Sequence, residues 1–243
     1  MFIISRKRIS LILICFLIGI SVYSYQRMKI GTQEKREETL EEATATPVSG
    51  KVVVLDAGHG TPDEGAQSSK GTTEAETNLK IALKVQNLLE QSGCTVILTR
   101  SDEKAIYDLD KTTLKEKKIS DIRNRVKIGN SASADMFVSI HLNKIPQQQY
   151  WGWQCFYSSK SDESMKLAKI LQSSLNDAIQ KDNKRVAMKL DTVYIMKHVE
   201  IPISIVECGF LSNPEEEQQL LNDEYQDKLA WGIYNGIIEY FKN

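Results

Sequence analysis

The chain has 243 residues, of which 41% are hydrophobic and 26% charged, with a formal net charge of -1. That length suits one sizeable globular domain plus an appendage. The near-neutral balance excludes the broad basic face that a nucleic-acid-binding protein presents to phosphates. The four cysteines, Cys15, Cys94, Cys155 and Cys208, form no C-x-x-C pair. Neither a cysteine zinc knuckle nor a redox motif is therefore expected, and they read as small buried hydrophobes.

In chain order, Arg6-Lys7-Arg8 precede an apolar stretch from Ile9 to Tyr25, followed by Arg27 and Lys29. A basic flank and about 17 apolar residues lie between a signal h-region and a membrane span. Bulky residues at Ser24-Tyr25-Gln26 replace the small residues of a cleavage site, so residues 1–30 are expected to form an uncleaved signal anchor. The basic residues weakly place the N-terminus in the cytoplasm, with the remainder exported to the extracytoplasmic face of the membrane. Residues 31–49 are rich in Glu, Thr, Lys and Gln and read as a flexible linker. Residues 50–243 then form one domain.

That domain alternates strand-like and helix-like segments. Lys51 to Asp56 (KVVVLD) is a short β-branched run entering Ala57-Gly58-His59-Gly60. A helix is expected from Glu74 to Ser92, with Thr73 as N-cap, Glu76 completing a capping box, and Gly93 after its end. Cys94 to Thr99 is a second strand, Ile119 to Ala132 a helix and Asp135 to His141 a third strand. Gly152 to Tyr157 is a further strand candidate, and Asp162 to Lys181 an amphipathic helix. Ile201 to Glu207 is again strand-like, Asn213-Pro214-Glu215 opens a helix, and Glu224 to Phe241 closes the chain. Alternation of this kind predicts an α/β fold: a mostly parallel twisted sheet with helices on both faces.

In such sheets functional groups gather beyond the carboxyl ends of the strands. Of the three histidines, two occupy such positions: His59, between two glycines, and His141. Glu74 begins the helix after the first strand and also falls on the carboxyl side. Two imidazoles and one carboxylate suit a catalytic zinc ion, which takes three protein ligands and leaves a position for water. The spacing does not match H-E-x-x-H, which excludes a thermolysin-like helix. Glu207 ends an apolar strand, where a carboxylate is costly to desolvate without a partner; beside a metal it reads as a general base. Asn143, Gly152 and Trp153 lie near the same rim and are candidate substrate contacts. His198 is expected at the surface. Glu215-Glu216-Glu217 reads as dipole stabilisation and solvation of a helix start.

Five blocks carry a further signal: Asp56 to Gly60, Glu74 with Asn78-Leu79, Leu98-Thr99-Arg100, Ser139 to Asn143, and Val206 to Asn213. In this order, across residues 50 to 243, they resemble the zinc-dependent N-acetylmuramoyl-L-alanine amidases (the amidase-3 family). The compact layout looks most like the germination-specific subgroup of spore-forming bacteria. Ala57 stands where that family usually has proline, and Cys208 where it has a small or apolar residue. The resemblance implies that His59, Glu74 and His141 bind one zinc ion and that Glu207 is the catalytic acid/base. It implies hydrolysis of the amide between the lactyl group of muramic acid and L-alanine of peptidoglycan, toward the muramic-δ-lactam of spore cortex. The expected partners are the glycan strand with its stem peptide, the membrane through the N-terminal segment, and an accessory protein that sequence does not identify. Two rival readings are a catalytically silent peptidoglycan-binding module and a zinc peptidase acting within the stem peptide.

Overall fold

The computed structural model describes residues 46–131 and 133–242, together with Tyr23, Ser24, Gln26, Arg27 and Lys29. The chain divides into two units, Met1–Ala45 and Thr46–Asn243. Most of the expected anchor and linker lies outside the described residues. Among the described residues, no helix is long and apolar enough to cross a membrane. The second unit begins earlier than composition suggests. Val48 is fully buried in the core and Thr46 donates from its hydroxyl to the Ser92 carbonyl, so 46–49 belong to the domain rather than to a tether.

The elements of this unit are β1 (Val52–Ala57), α1 (Glu74–Gln91), β2 (Thr95–Leu98), α2 (Leu114–Ser131), β3 (Met136–Asn143), β4 (Gln154–Tyr157), α3 (Asp162–Ile179), β5 (Met188–Lys189), α4 (Tyr194–His198), β6 (Ile203–Phe210), α5 (Pro214–Leu220) and α6 (Asp223–Lys242). They build a six-stranded sheet of order β2-β1-β3-β6-β4-β5. Neighbouring strands are parallel except β4 and β6, which are antiparallel. The short β5 and α4 carry too little periodicity to be read from sequence.

Alternation along the central strands covers both sheet faces, as parallel sheets require. Val53, Leu55, Met136, Val138, Ile140 and Val206 point to one face, where they pack with Leu79, Ile81 and Val85 of α1, Leu167 and Leu171 of α3, and Leu229 and Ile233 of α6. Val54, Phe137, Ile203 and Ile205 point to the other, against Val126 of α2 and Ile195 and Met196 of α4. Each such fully buried side chain contributes roughly 1.5–3 kcal/mol relative to exposure.

The strand order also positions the site. From β1 the chain crosses by α1 to β2 on one side, then returns by α2 to β3 on the other side of β1. The chain therefore changes direction between β1 and β3, and a crevice opens beyond their carboxyl ends at that switch point.

Local signals act as expected at two helix starts. Thr73 accepts from the Glu76 amide, and Asn213 accepts from the amides of Glu215 and Glu216. The capping box is half made, however, because Glu76 turns its carboxylate outward to Lys80. Cys94, Cys155 and Cys208 are buried free thiols.

Candidate metal centre

His59 follows β1, Glu74 is the first residue of α1, and His141 lies near the end of β3. The fold brings all three to the switch point, with one ligand atom from each lying within 4.8 Å of the others. The Glu74 carboxylate sits between the imidazoles: Oε2 is 3.3 Å from His59 Nε2, and Oε1 is 2.9 Å from His141 Nδ1. Glu74 is 4% exposed. Its Oε2 also accepts from the Ala66 amide, and its Oε1 from the Leu142 amide and from Asn78 Nδ2. The carboxylate is thus fixed on both sides before any ion binds.

Two glycines make the approach of the ligands possible. A Cβ on Gly58 would lie 2.3 Å from the His141 ring. Gly65 adopts φ +68°, and a Cβ there would meet Glu74 Oε2 at 2.6 Å and the His59 ring at 2.7 Å. His59 itself has φ +63°, a left-handed conformation sparsely populated by non-glycine residues.

Burial opposes a charge on His59, but its hydrogen bonds to Asp63 and Glu74 outweigh that and push its pKa up to about 9. Burial likewise opposes ionisation of Glu74, yet hydrogen bonds from His141 and His59 hold it well below the usual carboxylate range. Two imidazoles around one anionic carboxylate are the donor set of a hydrolytic zinc centre, with a vertex left for water. The residues therefore fit the ion. Asp63 completes the support: its Oδ2 is 3.2 Å from His59 Nδ1, and its Oδ1 is 2.8 Å from Lys118 Nζ. A carboxylate behind a ligating imidazole fixes ring orientation and tautomer.

Glu207 of β6 is in parallel register with His141 of β3, so both side chains leave the sheet on the same face. They line one cleft of about 470 Å³ with His59, Asp63 and Lys118, opposite an apolar wall that includes Ile119, Ile122, Val193 and Ile195. The stretch from Ser101 to Ser120 supplies Lys118 and Ile119 to the cleft lining. Glu207 Oε2 is screened from solvent and has no hydrogen-bond partner among the described residues. Burial, reinforced by the Glu74 charge, raises its pKa to about 7 despite the attraction of the two histidines.

Three sequence-based expectations need correction. Trp153 is fully buried, its indole donating to Asn176, and Gly152 is buried with its amide on Glu216. Neither lines the cleft: Trp153 packs into the core on the α1, α3 and α6 face of the sheet, whereas Ile122, Ile195 and Ile205 wall the cleft on the other face. Asn143 ends β3, half-buried. The acidic run is not a solvated face: Glu216 and Glu217 are each 2% exposed. Glu216 accepts from the amides of Gly152 and Phe210, and Glu217 accepts from the Thr72 hydroxyl. His198 is exposed as expected, stacked on Tyr194. Beneath the site lies a group that sequence reading did not single out. Asp56, 1% exposed, accepts from Arg125, Thr99 and Ser139 at 2.6, 2.7 and 2.6 Å. Its signal was present as a carboxylate closing an apolar strand, the same signal that singled out Glu207.

Comparison with known proteins addresses the same residues. A family model described as N-acetylmuramoyl-L-alanine amidase matches residues 53–239, which span the whole site. The chain belongs to the N-acetylmuramoyl-L-alanine amidase family. It is 40% identical over 195 residues to the germination-specific N-acetylmuramoyl-L-alanine amidase of Bacillus subtilis, covering 80% of this chain and 81% of that protein. The CwlD amidase from Clostridioides difficile, solved in complex with the GerS lipoprotein, superposes with TM-score 0.77 at 41% identity, over 79% of this chain and 98% of that one. A second C. difficile N-acetylmuramoyl-L-alanine amidase gives TM-score 0.69 at 30% identity, over 79% and 97%. The protein is an amidase acting on peptidoglycan, at the bond between N-acetylmuramic acid and L-alanine.

Proposed function

We propose that this amidase is zinc-dependent, with His59, Glu74 and His141 as the ligands and Glu207 as the catalytic acid/base. The observation that carries the reading is the convergence of three ligand atoms within 4.8 Å at a cleft also lined by Glu207, which has one carboxylate oxygen without a hydrogen-bond partner among the described residues. Bound zinc supplies Lewis acidity toward the lactyl carbonyl and lowers the pKa of attacking water. Glu207, whose carboxylate lines the same cleft as His59 and His141, would take the proton of that water and return it to the leaving L-alanine amine. Asp63 would hold His59 in one orientation, and Ile119, Ile122, Val193 and Ile195 give the cleft one apolar side.

The likeness to the germination-specific enzyme of B. subtilis supports a role in spore cortex, where removal of the stem peptide frees the lactyl group for muramic-δ-lactam formation. The likeness to a CwlD amidase bound to a lipoprotein supports an accessory partner. The basic and apolar residues 1–30 support export and anchoring, with residues before Thr46 tethering the domain outside the membrane.

The test is mass spectrometry of muropeptides from purified peptidoglycan digested with the full chain, with and without a zinc chelator. Stem peptides with a new amino-terminal alanine should appear, vanish on chelation and return with added zinc. A different new terminus would establish a peptidase acting within the stem; undiminished turnover in metal-free protein would defeat zinc dependence.

A further inference from the structure

We propose that Arg100 is a positioning residue for the metal centre, its buried guanidinium locking the His59 loop to the first turn of α1 and so setting the spacing of two ligands before an ion arrives. This rests on the reading of His59, Glu74 and His141 as metal ligands.

Arg100 follows β2 and is 3% exposed. Its hydrogen bonds go to backbone carbonyls: Nε to Ala57 at 2.9 Å, Nη2 to Gly58 at 3.1 Å and to Ala75 at 2.7 Å, and Nη1 to Asp102 at 2.7 Å. None reaches a carboxylate. A buried guanidinium held by carbonyl dipoles alone is costly to desolvate, and burial together with nearby Arg125 lowers its pKa to about 10. The geometry explains where that cost goes. Ala57 and Gly58 immediately precede His59, and Ala75 immediately follows Glu74, so one nitrogen, Nη2, bridges the two ligand-bearing segments.

Arg125 of α2 has a different place. It is ion-paired to Asp56 and Asp121 and reaches the Ala57 and His59 carbonyls. It fastens the loop downward to the sheet and α2; Arg100 fastens it sideways to α1. The loop needs both, because a non-glycine residue at φ +63° persists only where its surroundings over-determine it. Asn78 adds a weaker link of the same kind, donating from Nδ2 to the Gly58 carbonyl at 3.2 Å. Lysine at position 100 would keep the charge, but its one terminal nitrogen cannot also replace the Nε and Nη1 contacts to Ala57 and Asp102 that hold Nη2 between Gly58 and Ala75.

The experiment measures zinc affinity of the full chain by competition with a chromophoric chelator, alongside the thermal midpoint of the metal-free protein. Arg100→Lys and Arg100→Gln are compared with Leu229→Ala, a core cavity on α6 remote from the site. Zinc binding by the arginine variants should weaken by about 10–100-fold, as for other outer-shell partners of metal ligands. Leu229→Ala should lower the thermal midpoint and leave zinc affinity within about twofold. Arginine variants that stay within about twofold of the unmodified chain, or lose no more zinc affinity than Leu229→Ala, overturn the inference. A second measurement needs no variant: in crystals of the chain with and without zinc, His59 and Glu74 should coincide within about 0.5 Å, the tolerance of a preorganised site. A larger shift also overturns it. An unmodified chain that binds no zinc removes the metal reading and this inference together; one that binds zinc with Arg100→Lys unchanged removes the inference alone.

Discussion

Glu207 lies within β6 and Glu216 in the first turn of α5, nine residues on, and their surroundings could hardly differ more. Burial raises both pKa values. Glu216 accepts from two backbone amides, those of Gly152 and Phe210, both at 2.8 Å. Glu207 lines a cleft and has an oxygen that none of the described residues satisfies. The two residues separate what burial of a carboxylate can mean. A satisfied one joins backbone segments and belongs to the architecture; an unsatisfied one at a concave rim is held ready for a proton, a water or a substrate.

The sharpest way to test that division is to remove the bare carboxylate. Glu207→Gln should reduce kcat by about 10²–10⁴-fold while zinc content, read by atomic absorption, stays at the level of the unmodified chain. Residual activity within a few-fold would erase the distinction between the two glutamates.

Glu216→Ala should do the reverse. It strands two buried amide groups, each costing roughly 1–3 kcal/mol, so denaturant unfolding of the metal-free chain should show a loss of about 2–6 kcal/mol with zinc affinity unchanged. If zinc binding fell first, Glu216 would belong to the site after all.

A smaller effect comes from pH. The folded pKa of Glu207, about 7, lies above its ordinary value of 4.5. The fold therefore favours the protonated form. Stability from this group is complete below about 4.5 and lost as pH rises through 7. Glutamine is neutral throughout, so metal-free Glu207→Gln should match the unmodified chain near pH 4 and exceed it by about 1–3 kcal/mol at pH 8. Equal stabilities at both pH values would mean that the orphaned oxygen is solvated.

The least drastic change is Asp63→Asn, which weakens the support behind His59 without touching the ligand. Zinc affinity should fall roughly tenfold, and more steeply than for Lys118→Met, whose partly exposed ion pair with Asp63 contributes about 0–1 kcal/mol.

Much of the fold was legible in one dimension, because its causes are local. β-Branched runs such as KVVVLD, the cap residues Thr73 and Asn213, and the alternation of strand and helix periods report on neighbours a few residues apart. The convergence of His59, Glu74 and His141 was legible for a related reason: each sits at or near a strand end or helix start, and in a parallel sheet those ends share one rim. What sequence could not supply was the identity of long-range partners. Trp153 looked like a rim aromatic and is core, since the orientation of β4 is set by its pairing with β6. Glu216 and Glu217 looked like a solvated helix start and are buried, since the Gly152, Phe210 and Thr72 groups that receive them come from distant segments. Arg100, Arg125 and Asp56 form one network across β1, the end of β2 and α2 that no spacing announces. Local propensity and binary pattern determined which elements form and where their reactive residues fall. Only tertiary packing decided which charges meet, because whether a buried polar group is stable depends on a partner the chain brings from far away.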